Sequence, residues 1–103
     1  MNDRLTSLLS LLSKEPKDTF LLYGVALEYI SKKEYQKAEE YLNKLLKEDP
    51  KYVPAYMQFA RLKENLDEVE EAKKYYKEGI KAANENGDKR SAKEMEEFFD
   101  ELE

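Results

Sequence analysis

Apolar residues recur along this chain at the three- and four-residue steps of an amphipathic helix, in six successive blocks. The first, over residues 3–14, places Leu5, Leu8, Leu9 and Leu12 on one stripe. Thr6, Ser10 and Ser13 lie away from that stripe and Leu11 lies off its edge. Asn2 or Asp3 can cap the start. Glu15-Pro16 ends it, because a proline pushes the residue before it out of the α region. A second helix is predicted from about Phe20 to Lys32, capped by Asp18 or Thr19. It is apolar on nearly all sides (Phe20, Leu22, Tyr23, Val25, Ala26, Leu27, Tyr29, Ile30), so it must be contacted from more than one direction. A narrower stripe of Tyr35, Ala38, Tyr41, Leu42, Leu45 and Leu46 predicts a third helix over Tyr35 to Glu48, stopped by Asp49-Pro50. Glu40 and Lys44 face each other at i,i+4 on its polar side.

The same grammar then repeats. Tyr52 to Asn65 carries Val53, Tyr56, Phe59, Ala60 and Leu62, with Pro54 in a first turn that has amide donors to spare. Glu68 to about Glu85 turns Val69, Ala72, Tyr75, Tyr76, Gly79, Ile80 and Ala83 toward a core. A glycine inside a helix costs about 1 kcal/mol relative to alanine, so Gly79 predicts a close backbone approach. Asn86-Gly87-Asp88 reads as a helix stop followed by a new cap. The last block, Lys89 to Leu102, carries Ala92, Met95, Phe98, Phe99 and Leu102 with acidic residues between, one face wet and Phe98 partly bare. Two blocks superpose at a period of 34 residues: Ala26 maps to Ala60, Ala38 to Ala72, Tyr41 to Tyr75, and Pro50 maps back to Pro16. A period of that size is the signature of stacked helical pairs.

Composition narrows the picture. Hydrophobic residues make up 41% and charged residues 40% of 103 residues, which fits one folded domain with a modest core and a charged surface. Three glycines and three prolines are too few for the frequent turns of an all-β chain, so the expected class is all-α. With no Cys and no His, the usual nucleophilic thiolate, general base and transition-metal ligands are missing. The adjacent carboxylates Glu39-Glu40, Glu70-Glu71 and Glu96-Glu97 point apart on a helix and make no acid/base pair. No phosphate-binding, nucleophile-elbow or calcium-loop motif occurs. The expectation is therefore no enzyme and no cofactor. A net charge of −5 argues against a nucleic-acid partner. No run is apolar enough to span a membrane. Asp3, Ser7 and Ser10 spoil the N-terminus as a signal peptide, so a cytoplasmic chain is expected. Lys73, Lys77 and Lys81, with Lys74 beside them, form a basic ridge suited either to solvent or to an acidic partner. Glu70–Lys74 and Lys74–Glu78 pairs would balance it in part.

Thr19–Tyr52 and Val53–Asn86 resemble two tetratricopeptide repeats. The match rests on Leu22, Val25, Ala26, Tyr29, Ala38, Leu42 and Pro50 in the first unit. In the second it rests on Tyr56, Phe59, Ala60, Ala72, Tyr76 and Gly79. The chain departs from the family pattern at Leu45, where alanine is preferred, at Lys63, where tyrosine is usual, and at Asn84, where proline is usual. The resemblance implies a right-handed α-α superhelix of about six helices in a single domain. Residues 1–16 are then an N-terminal helix, 19–52 and 53–86 the repeats, and 87–103 a capping helix. It also implies a protein-interaction module, like small bacterial proteins of this kind, whose concave face is lined by the first helix of each repeat. Mapped onto this chain, that lining is Phe20, Tyr23, Leu27 and Ile30, then Met57, Arg61 and Glu64. An aromatic, a methionine and an arginine are residue types that interfaces enrich. The carboxylate clamp of chaperone-binding members is not expected, since only Arg61 among Tyr23, Leu27, Met57 and Arg61 is compatible with it. The implied partner is a protein or peptide. The alternative is a structural protein, monomeric or weakly homodimeric, that self-associates through its leucine-rich first helix and Leu11.

Overall fold

The computed structural model describes residues 3–103, which form six helices and no strand. They are α1 (Arg4–Lys14), α2 (Thr19–Ser31), α3 (Tyr35–Glu48), α4 (Val53–Asn65), α5 (Val69–Glu85) and α6 (Lys89–Glu101). Asp3 is the cap of α1, its side chain accepting from the Thr6 amide at 2.8 Å; the alternative, Asn2, lies outside the described residues. Asp18 rather than Thr19 caps α2. The helices pack as two compact units, Met1–Pro50 and Lys51–Glu103.

In the first unit α1 lies on α2 and α2 on α3. Ala26 and Ala38 have no exposed surface, as small residues at a helix–helix contact should. Leu8 and Leu12 bury the stripe of α1, while Leu11 stays 51% exposed. A methyl on Gly24 would sit 3.2 Å from the Leu8 side chain, which places α1 against the backbone of α2 at that point. Two ion pairs tie the start of α1 to the end of α2: Arg4 to Glu28 at 3.2 Å and Lys32 to Asp3 at 3.4 Å.

The second unit packs α4 on α5 and α5 on α6 around Val53, Ala60, Tyr76, Ala82, Ala83, Ala92 and Met95. Gly79 is where α4 and α6 both close on α5. A Cβ there would meet Met95 Sδ at 2.6 Å and Tyr56 Cβ at 2.7 Å, so the close approach read from the sequence is present. Phe98 is half-buried and stacks on Tyr76, ring centroids 5.9 Å apart.

Three turns share one construction. The Glu34, Glu68 and Asp88 amides donate to the Tyr29, Lys63 and Ala83 carbonyls across Lys33, Asp67 and Gly87, whose φ angles are 61°, 59° and 74°. These are Schellman caps with the left-handed residue just past the helix end. Lys33 and Asp67 stand one period apart, so the repeat is written into the backbone as well as the side chains.

Three expectations change. Val69, assigned above to the buried side of α5, is 39% exposed, because it occupies the first helical position of α5, where few neighbours surround it. Lys73, not Lys74, takes Glu70, at 3.5 Å, and also reaches Glu103 at 3.3 Å; Lys74 instead lies over the Tyr75 ring at 5.7 Å. Lys63, treated above only as a departure from a family pattern, is 8% exposed. Its ammonium extends over Phe59 and meets Glu68 at 2.9 Å and Glu71 at 3.6 Å, so the stem fills the site and the charge is neutralised at its edge.

Candidate protein-binding surface

On α2 the residues Leu22, Val25, Ala26 and Tyr29 go into the core. What they leave is a strip at spacings of three and four, Phe20, Tyr23, Leu27 and Ile30, which therefore share one face. Phe20 is 69% exposed, and the other three are half-buried. The Asp18 cap, accepting from the Leu21 amide at 3.0 Å, fixes the first turn from which Phe20 projects. Four large apolar side chains in line, only partly used by packing, are the kind of surface that excludes water on meeting a partner.

On α4 the corresponding face holds Met57, Arg61 and Glu64. Met57 is half-buried against the core of its unit, and Arg61 is exposed with its guanidinium carbon 5.7 Å from the Phe98 ring centroid. That is cation–π range, so Phe98 orients the arginine. Glu64 is half-buried and accepts the Tyr76 hydroxyl proton. Burial first, and this carboxylate second, push the Tyr76 phenol well above its ordinary range and keep it a donor. Glu64 is thus anchored, with its remaining acceptor capacity set in one direction. The sequence pattern assigned Phe98 and Tyr76 to packing faces. It did not reveal that the face of one ring and the hydroxyl of the other would set Arg61 and Glu64, because periodicity reports a helix face and not what each side chain on it meets.

The lysine ridge of α5 is largely engaged. Lys73 is paired as described, with Glu103 the main cause of its raised pKa, and Lys77 lies over Phe99 at 5.4 Å. Among the described residues no group of three or more carboxylates converges on a metal-sized site, and no helix is long and apolar enough to cross a membrane.

Comparison with known proteins identifies the fold and the family. A curated TPR repeat-containing protein of Pseudomonas aeruginosa is 25% identical over 92 residues, covering 89% of this chain and 88% of its own. The solution structure of a tetratricopeptide repeat domain protein from Salinibacter ruber is 30% identical, with a TM-score of 0.81 over 85% of this chain and 89% of that one. A protein from Bordetella parapertussis shares the fold, with a TM-score of 0.87 at 22% identity over 99% of this chain and 89% of its own. The tetratricopeptide fold is generally a protein–protein interaction module and generally not catalytic. A family model described as tetratricopeptide repeat matches residues 29–94, well over half of the sequence, and the chain belongs to the tetratricopeptide repeat family.

Proposed function

We propose that this protein is a cytoplasmic adaptor that holds a peptide or partner helix on the first helices of its two repeats, 19–52 and 53–86. The helices at 1–16 and 87–103 would flank that pair in a single domain. The observation that carries the reading is the α2 strip. Phe20 is 69% exposed in line with the half-buried Tyr23, Leu27 and Ile30, while Leu22, Val25, Ala26 and Tyr29 of the same helix fill the core. The α4 strip supports it, since Met57 adapts its shape to a partner while Arg61, seated on Phe98, supplies a planar donor for a partner carboxylate or carbonyl. The partner favoured by this chemistry carries two or more large apolar side chains at helical spacing and an acceptor beside them.

Affinity capture from native lysate tests the reading. Wild-type protein should retain a defined set of partners, and the double variant Tyr23→Ala/Arg61→Ala should lose most of it while keeping its helical circular dichroism. An unchanged set with the double variant would show that these strips are not the binding surface.

A further inference from the structure

A second surface lies within the first unit, on another side of it. Leu22 is about a third of a turn round α2 from the Phe20–Ile30 strip. Over it, between α1 and α3, runs an open groove. One part of it, about 270 Å³, is lined by Leu9, Leu12 and Tyr41. The adjoining part, about 430 Å³, shares Pro16, Leu22 and Lys44 with the first and is edged by Lys17 and Lys47. The floor is apolar: Leu22 and Leu12 are 1% and 8% exposed, with Leu9 half-buried above them.

The rim is where this groove differs from the rest of the molecule. The chain as a whole carries a net charge of −5, yet the rim presents three lysines with one lining carboxylate, Glu48, and a second, Glu40, beside Lys44. Lys44 lies 4.7 Å from the Tyr41 ring centroid and 3.7 Å from Glu40, which hold it over the floor. Lys17 and Lys47 have no ion pair among the described residues. Lys44 and Lys47 are one helical turn apart on α3, and Lys17 stands near the α1–α2 connection, so the charges are spread along the groove. A small ligand needs a site that covers most of its surface. This groove is open along its length and covers one side only, which suits a helix laying one face into it.

We infer that the groove between α1 and α3 docks an acidic amphipathic helix of another protein. Its apolar side chains rest on Leu9, Leu12 and Leu22, and its carboxylates meet Lys17, Lys44 and Lys47. The site is independent of the α2 and α4 strips, so one surface can fail while the other stands.

Fluorescence anisotropy on the full chain tests this. The probe is a labelled helical peptide about 15 residues long, with leucine at every third or fourth position and glutamate between. Saturable binding is expected, weakening with added salt and lowered at least about tenfold by Lys44→Glu/Lys47→Glu, an exposed pair whose reversal leaves the core intact. Tyr23→Ala/Arg61→Ala, which alters the other surface, should leave the part of this binding that depends on Lys44 and Lys47 unchanged. The matching peptide with lysine in place of glutamate should bind at least about tenfold more weakly. Absence of saturable binding at low salt, or equal affinity for the charge-reversed protein, would overturn the inference. So would binding of laurate but not the peptide at these lysines, or concentration-dependent self-association abolished by the same reversal, since the occupant would then be a fatty acid or a second copy.

Discussion

Lys63 shows how one residue can satisfy a repeat while breaking its usual chemistry. It stands one period after Tyr29, and both positions are 8% exposed. A tyrosine fills such a site with a ring and a polar tip; the lysine fills it with its stem over Phe59 and ends on Glu68 and Glu71. The burial was legible by counting 34 back, but the two carboxylates that make it tolerable come from the next helix and its cap, where periodicity says nothing about pairing. Replacing a buried cation by an apolar side chain of similar length is often close to neutral, whereas a charge without a partner is not. Lys63→Met should therefore change unfolding free energy by less than about 1 kcal/mol. Lys63→Glu, which sets a buried carboxylate beside two others, should cost about 3–5 kcal/mol by urea denaturation. Tyr76 makes a second prediction at this scale. Its folded pKa lies above the ordinary value, so the unfolded chain releases that proton first. The stability it contributes is complete below pH about 10 and is lost as pH rises beyond it. Tyr76→Phe should cost about 1–2 kcal/mol near neutral pH by leaving Glu64 without its donor, and should remove part of the alkaline decline seen in wild type.

The helices themselves were almost fully legible in the sequence. Asp18, Pro50 and Asn86-Gly87-Asp88 mark their ends as well as their apolar stripes mark their bodies, and the absence of proline at Asn84 lets α5 run on to Glu85. What could not be read was the conformation of Lys33 and Asp67, because neither residue type demands a positive φ. Both pay a steric penalty that glycine avoids. Lys33→Gly should therefore raise stability by about 0.5–1 kcal/mol, measured by thermal or urea unfolding. Gly87→Ala should lower it by about 1 kcal/mol purely through its φ of 74°, since an added Cβ there would meet nothing. The N-caps give the element scale its acid dependence. The Thr6 amide beside Asp3, and the Ser91 hydroxyl followed by its amide beside Asp88, hold these carboxyls below their ordinary value. Their contribution is present above the ordinary carboxyl pKa and is lost as pH falls below it through their own, lower values. Helicity should therefore decline on acidification, and Asp3→Asn/Asp88→Asn should decline less.

At the level of the molecule, two units built from the same helical grammar differ in what they leave exposed. The first leaves an apolar strip on α2 and a basic-rimmed groove between α1 and α3. The second leaves an arginine propped on an aromatic ring. The family, whose fold is generally an interaction module, follows from the repeat; Phe20 and Leu22 look alike in a hydropathy pattern, and it is their register within the repeat that separates them, at 69% and 1% exposure. The most direct test of the proposed role is site-specific photocrosslinking in living cells. A benzophenone amino acid is placed singly at Phe20, Met57, Lys81 and Glu94, the last two lying on exposed faces of α5 and α6. The account predicts that one discrete heavier species forms from both Phe20 and Met57 and not from Lys81 or Glu94. Adducts from Lys81 or Glu94 alone, with none from Phe20 and Met57, would contradict it.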